Sequence, residues 1–119
     1  MRNFRNYETW VLAIKLAKQV YSLTKTFPKK EVYGISSQIQ RASVSISSNI
    51  AEGCSRKSEK EFAHYLEIAI GSSFEVESQL CLCLELEYVE KETFEMLIAN
   101  LHIIQRKLNA LYTKVRKGR

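Results

Sequence analysis

The sequence predicts an all-α protein, an up-down-up-down antiparallel four-helix bundle. Three observations carry that expectation. Apolar residues recur at three- and four-residue spacing through most of the chain. Turn formers are scarce, with 4 Gly and 1 Pro in 119 residues. The few start and stop signals leave four long segments with short connections, which makes neighbouring helices antiparallel. A chain of this length fills one domain, 1–119, with one core and no need of disulfides or a structural metal.

The first helix is expected over about residues 7–26, where Trp10, Ile14, Ala17, Tyr21 and Leu23 or Thr24 fall near helical spacing. Phe27-Pro28 ends it, because proline lacks an amide hydrogen and restricts the residue before it. The second is expected over about 29–54, opening just after Pro28 and stopping at Gly53. A capping box, Ser58-Glu59-Lys60-Glu61, opens the third over about 58–87. The fourth, about 91–117, carries the stripe Phe94, Leu97, Leu101, Ile104, Leu108, Leu111 and Val115.

On a helical wheel Ile35, Ile39, Ala42, Ile46, Ile50 and Gly53 form the core arc of the second helix. Beside it Gln38, Arg41, Ser45, Asn49, Glu52 and Arg56 make a narrow polar ribbon. The remaining face, Ser36, Gln40, Ser43, Val44, Ser47, Ser48 and Ala51, carries almost no charge, whereas a solvated face normally bears Lys and Glu. The third helix has one stripe of Phe62, Leu66, Ala69, Val76 and Leu80, and a second of Tyr65, Ile68, Leu82 and Leu86 with Ser72, Glu75 and Gln79 among them. Together they span about 200°, more than one bundle core uses. A homo-oligomer with an interface on the second and third helices follows, with a serine-rich monomer as the competing explanation.

Met1 to Asn6 lacks the apolar core of a signal peptide, and no uncharged apolar run reaches the roughly 18 residues of a membrane span. A cytoplasmic, soluble protein without a membrane partner is expected. Cys54, Cys81 and Cys83 suggest neither a disulfide framework nor a zinc site. The formal net charge of +5 is moderate, but it gathers at Arg2 and Arg5 and in the tail. Cations at a helix C-terminus also complement the macrodipole, which accounts for the tail without any ligand.

The run Arg41-Ala42-Ser43-Val44-Ser45-Ile46-Ser47-Ser48-Asn49-Ile50-Ala51-Glu52-Gly53, with Arg56 after it, resembles the signature of the four-helix bundle proteins first noticed as products of intervening sequences in bacterial 23S ribosomal RNA genes. Trp10, Tyr21, Phe27-Pro28, Glu31, Gly34 and Gln38 precede it in matching order; Phe62, Leu66, Ala69, Gly71-Ser72, Glu75, Glu77 and Gln79-Leu80 follow. The resemblance covers nearly the whole chain and weakens beyond about Tyr88. It implies a bundle assembling as a ring-like homopentamer. A related branch, the accessory proteins of diversity-generating retroelements, implies a reverse transcriptase and nucleic acid as partners. Five copies of a +5 chain carry +25, enough to steer RNA or DNA to a ring.

Catalytic chemistry finds little support. His64 and His102 sit on different helices, no His-x-x-x-His pair occurs and the paired Glu-x-x-His pattern of di-iron bundles is absent, so no metal is expected, and Gly53 and Gly71 are isolated, so no phosphate loop is present. No cofactor is implied. Arg41 with Glu52 or Glu75 could make an acid and electrophile pair, but a carboxylate and a guanidinium beside a packed stripe more often satisfy each other. Gln38, Arg41, Ser45, Asn49, Glu52, Arg56, Ser72, Glu75 and Gln79 are therefore expected as a structural network across the bundle or a subunit boundary.

Candidate nucleic-acid contacts are Arg2, Arg5, Lys29, Lys30, Arg56, Lys57, Lys60, Arg106, Lys107, Lys114, Arg116, Lys117 and Arg119, directed mainly at phosphates. Tyr33, Tyr65 and Tyr112 could stack on bases, although packing at the bundle ends explains each of them more simply. The leading expectation is a non-enzymatic oligomeric scaffold that binds nucleic acid without sequence choice. A purely protein-binding assembly module stands second, and an enzyme using Glu52 or Glu75 last.

Overall fold

The periodic segments become α1 (Glu8–Thr24), α2 (Ile35–Cys54), α3 (Glu59–Glu85) and α4 (Lys91–Lys117), with 3-10 turns at Phe4–Asn6 and Lys29–Glu31. The structure is a computed structural model describing residues 2–118, a rod of 46 × 24 × 20 Å, and no strand occurs among the described residues. Arg119 lies outside the described residues.

The core follows the wheel on three helices. Ile39, Ile46 and Ile50 of α2 meet Phe62, Leu66, Val76 and Leu80 of α3 and Leu97, Leu101, Ile104 and Leu108 of α4, all fully buried. Each such side chain contributes about 1.5–3 kcal/mol of burial free energy. On α1 the inward face differs from the expected one: Thr9, Ala13, Leu16, Val20 and Thr24 are buried, whereas Ile14 and Tyr21 are exposed. Thr24 is buried as expected, but Thr9, Ala13, Leu16 and Val20 stand one residue before Trp10, Ile14, Ala17 and Tyr21, a rotation of about 100°. Both faces of α1 are apolar, so periodicity alone did not choose between them.

α2 begins at Ile35, not at residue 29. Glu31 and Val32 close a tight turn onto the carbonyls of Pro28 and Lys29 at 2.9 and 3.1 Å. The Tyr88 hydroxyl then donates to the Glu31 carboxylate at 2.8 Å, pinning that turn to the α3–α4 connection and pushing the phenol pKa up.

The uncharged face of α2 is also corrected in part. Ser36, Ser43 and Ser47 do not point outward but are buried, on the side of α2 where Gln40 donates to Thr24 of α1 at 2.9 Å. Ser43 and Ser47 bond their own helix at the carbonyls of Gln40 and Val44, so their hydroxyls enter the interior satisfied and their small size lets α1 come close. Only Val44 and Ser48 of that face stay exposed.

Ser58 caps α3 as expected, accepting from the Glu61 amide at 3.1 Å. The far end of α3 closes with the Tyr88 amide on the Cys83 carbonyl and the Glu87 amide on that of Leu84, the paired bonds of a Schellman motif. Glu87 occupies the left-handed position at φ 62°. A β-carbon is unfavourable there, so Glu87→Gly should raise stability by about 1 kcal/mol, read as a higher urea midpoint at unchanged slope.

Between α3 and α4, Gln105 donates to one Glu77 oxygen at 2.9 Å and His102 lies 3.2 Å from the other. The Gln105 bond, helped by His102 and opposed by burial, holds the Glu77 carboxyl below its usual range. A depressed carboxylate stabilises the fold above the unfolded-state value near 4.3, and that contribution is lost as pH falls through the folded value. Urea titrations should therefore show wild type ahead of Glu77→Gln at pH 7, with the gap closing below about pH 4. A gap independent of pH would contradict this reading.

Candidate nucleic-acid interface

Up-down alternation brings the start of α1, the end of α2, the start of α3 and the end of α4 to one end of the rod. The α2–α3 turn there is tight: a β-carbon on Gly53 would sit 2.9 Å from Phe62 Cδ1 and 3.0 Å from Tyr65 Cβ. That approach lays the Arg56 guanidinium 4.9 Å from the Tyr65 ring centroid, where it donates to Glu52 at 2.7 Å and to the Tyr65 hydroxyl at 2.9 Å. Arg2 closes over the turn. It donates to the Arg56 carbonyl at 3.1 Å, pairs with Glu59 and stacks 4.3 Å above the Phe62 ring.

These bonds remove several expected nucleic-acid contacts from the free surface. Arg2 and Arg56 are half-buried and paired, and Lys107 is paired with Glu8 at 2.7 Å. Lys29 and Lys30 are exposed but stand at the opposite end of α2, roughly 30 Å away along a helix of this length. Arg106 is exposed on α4, more than two turns short of its end. What remains at the end itself is Arg5, Lys57, Lys60, Lys114, Arg116 and Lys117, all exposed and, among the described residues, without an acidic partner. At the opposite end exposed Glu85, Glu87, Glu90, Glu92 and Glu95 outnumber the exposed cations Lys25, Lys29, Lys30 and Lys91.

Aromatic rings at the basic end are already engaged. Phe4 packs on Trp10, Tyr7 on Phe62, and Tyr112 lies under Arg116 with its hydroxyl toward Glu67. Tyr33, which is 95% exposed, lies at the far end. No ring among these is free to stack bases beside the cations.

The expected polar network on α2 and α3 is only partly joined. The Ser45 and Ser72 hydroxyls meet at 2.8 Å, and Asn49 donates to Ser45. Gln79 is buried with its carboxamide oxygen unpartnered, and among the described residues Gln38, Arg41 and Glu75 form no side-chain hydrogen bond or ion pair. The Ser45–Ser72 register sets Glu52 and Glu75 about 15 Å apart along the rod. They do not form a carboxylate pair. Among the described residues no cluster of ligands fits a metal ion, and no helix is long and apolar enough to cross a membrane.

A family model for the 23S rRNA-intervening sequence protein matches residues 5–110. The chain belongs to that family. The match stops short of Lys114, Arg116 and Lys117, so half of the free cations at the basic end lie beyond the family's matched segment. A crystal structure of a protein of unknown function from the S23 ribosomal protein family of Bacteroides thetaiotaomicron VPI-5482 superimposes with a TM-score of 0.81. At 24% identity over 88% of this chain and 95% of the other, it shows that the fold is shared. No curated protein matches the chain.

Two of the arginines expected to bind nucleic acid are thus engaged in contacts within the chain. Arg2→Ala should lower stability by about 1–2 kcal/mol, since it removes a stacked, paired and hydrogen-bonded cation. Lys117→Ala, an exposed site with no ionic partner among the described residues, should stay within about 0.5 kcal/mol of wild type in the same denaturation experiment.

Proposed function

We propose that the protein is a non-enzymatic, homo-oligomeric four-helix bundle scaffold, pentameric as its family resemblance implies, that holds the phosphate backbone of RNA or DNA on its basic end. One observation carries this reading: Arg5, Lys57, Lys60, Lys114, Arg116 and Lys117 converge at one end of the rod with no acidic partner among the described residues, while exposed carboxylates outnumber exposed cations at the other. Self-repulsion of that kind disfavours the isolated chain and is relieved by a polyanion.

The helix macrodipole explains only some of these cations. Lys114, Arg116 and Lys117 complement the C-terminus of α4. Lys60 sits in the first turn of α3 and Lys57 just before it, where the dipole disfavours a positive charge. The engaged state of Phe4, Tyr7, Tyr65 and Tyr112 supports backbone contact over base stacking, hence little sequence preference. The separation of Glu52 from Glu75, both exposed, supports a binding role over catalysis.

A gel-shift series with duplex RNA and duplex DNA at rising salt tests the proposal. Affinity should fall steeply and linearly in log–log form, and each of Lys57→Ala, Lys114→Ala and Lys117→Ala should reduce the slope by about 1. Absence of any retardation at low salt would remove nucleic acid and leave the protein-binding assembly module.

A further inference from the structure

Two flanks of the rod, both bordered by α2, stay partly apolar in the single chain and carry charge of opposite sign. On the α1 side, Ile14, Tyr21 and Val44 are 42%, 45% and 39% exposed, and the charged residues set among them are Lys18 and Lys25. After Glu8, α1 contains no acidic residue at all. On the α3 side, Ile68 and Leu82 are 38% and 49% exposed, with exposed Glu75 midway between them. After Lys60, α3 contains no lysine or arginine.

The spacings correspond as well as the signs. Glu61, Ile68, Glu75 and Leu82 recur at seven residues, so carboxylate and apolar side chain alternate about every 10 Å along one row. Along α1 and its C-cap, Ile14, Lys18, Tyr21 and Lys25 alternate apolar and cationic side chains on one exposed face. Among the described residues Lys18, Lys25 and Glu75 have no ionic partner within the chain.

Heights along the rod agree. Gln40 bonds Thr24 and Ser45 bonds Ser72, which fixes the levels of α1 and α3 against α2. Counting about 1.5 Å per residue from those bonds sets Ile68 within a turn of the level of Ile14, and Glu75 at a level between Lys18 and Lys25. In copies related by a rotation axis parallel to the rods these levels are kept, so the carboxylate arrives between the two ammonium groups.

We infer that the lysine-bearing α1–α2 flank of one copy receives the glutamate-bearing α3 flank of a second copy of this chain. The inference rests on the oligomeric reading above and assigns its faces. Like-on-like contact is disfavoured, since α3 on α3 would bring carboxylates together and α1 on α1 would oppose the lysines. The contact is therefore heterologous, head to tail, the kind that generates a ring when its rotation closes.

Gly71 agrees with this. It is exposed in the middle of α3, a β-carbon there would meet nothing within 4 Å, and glycine at such a site costs about 1 kcal/mol relative to alanine. Beside Ile68 and Glu75, it leaves room for the backbone of another copy to come near. α2 forms the edge common to both flanks. Its exposed Val44 and Ser48 are small and uncharged, and the exposed charges beside them, Arg41 and Glu52, are one of each sign.

Charge reversals test the assignment. One variant carries Lys18→Glu with Lys25→Glu, the other Glu75→Lys; all three sites are exposed, and circular dichroism confirms that each variant keeps its helices. By light scattering over a concentration series, the wild type should be an oligomer and each variant should associate roughly 10-fold more weakly or worse. One chain carrying all three changes restores opposite signs at every contact of the ring and should reassemble.

Variants that assemble like wild type would overturn the face assignment and leave the oligomer standing. Variants that dissociate while the combined chain stays dissociated would also overturn it. A wild type that stays a single subunit at every concentration would remove the oligomeric reading itself.

Discussion

Close approach of α2 to both of its neighbours is the constraint on which the other features depend. On one side it is permitted by Ser36, Ser43 and Ser47, which are buried against α1, the last two bonding carbonyls of their own helix. On the other it is permitted by Gly53, which admits Phe62 and Tyr65 to within about 3 Å of where a β-carbon would stand. The Ser45–Ser72 bond then fixes how α2 and α3 slide past each other. Once that register is set, the α2–α3 turn, the clasp of Arg2 over it and the gathering of free cations at that end follow from chain connectivity.

Much of this was legible because the governing signals are local. The α4 stripe from Leu97 to Leu108, the Ser58 cap and the core arc of α2 are fixed by spacing within a few turns, and all of them stand where the periodicity puts them. The face of α1 was not legible: Ile14 and Tyr21 are bulkier than Ala13 and Thr9, yet the smaller residues lie inward because α1 packs against the serine face of α2. Small on small is a property of the pair of helices, not of either alone.

The turn at Lys29–Glu31 escaped the sequence for a related reason. Its anchor is the Tyr88 hydroxyl, 57 positions away, and no local pattern announces it. The same holds for Arg2, whose partners Glu59, Phe62 and the Arg56 carbonyl are contributed by a distant turn. Read as a terminal cation it belongs with Lys117; in the fold it is part of the core's lid. The polarity of the rod was available in principle, since up-down order alone says which helix ends share a pole, and the signs of the charges at each end can be read directly.

Charge is thus segregated twice, along the rod and around it, and the two segregations have a joint consequence. Contacts between lateral flanks, with lysine-bearing α1 against glutamate-bearing α3, keep the long axes of successive copies pointing the same way when a rotation axis runs along the rods. In the assembly proposed above every basic end would lie on one rim and every carboxylate-rich end on the other. A polyanion of the kind proposed above would meet several sets of Arg5, Lys57, Lys60 and tail cations on the first rim and, among the described residues, no such concentration of unpaired cations on the second. In a proposed ring of this kind binding would be one-sided, and its strength would grow with the number of copies because the phosphates engaged by neighbouring ends are already joined in one strand.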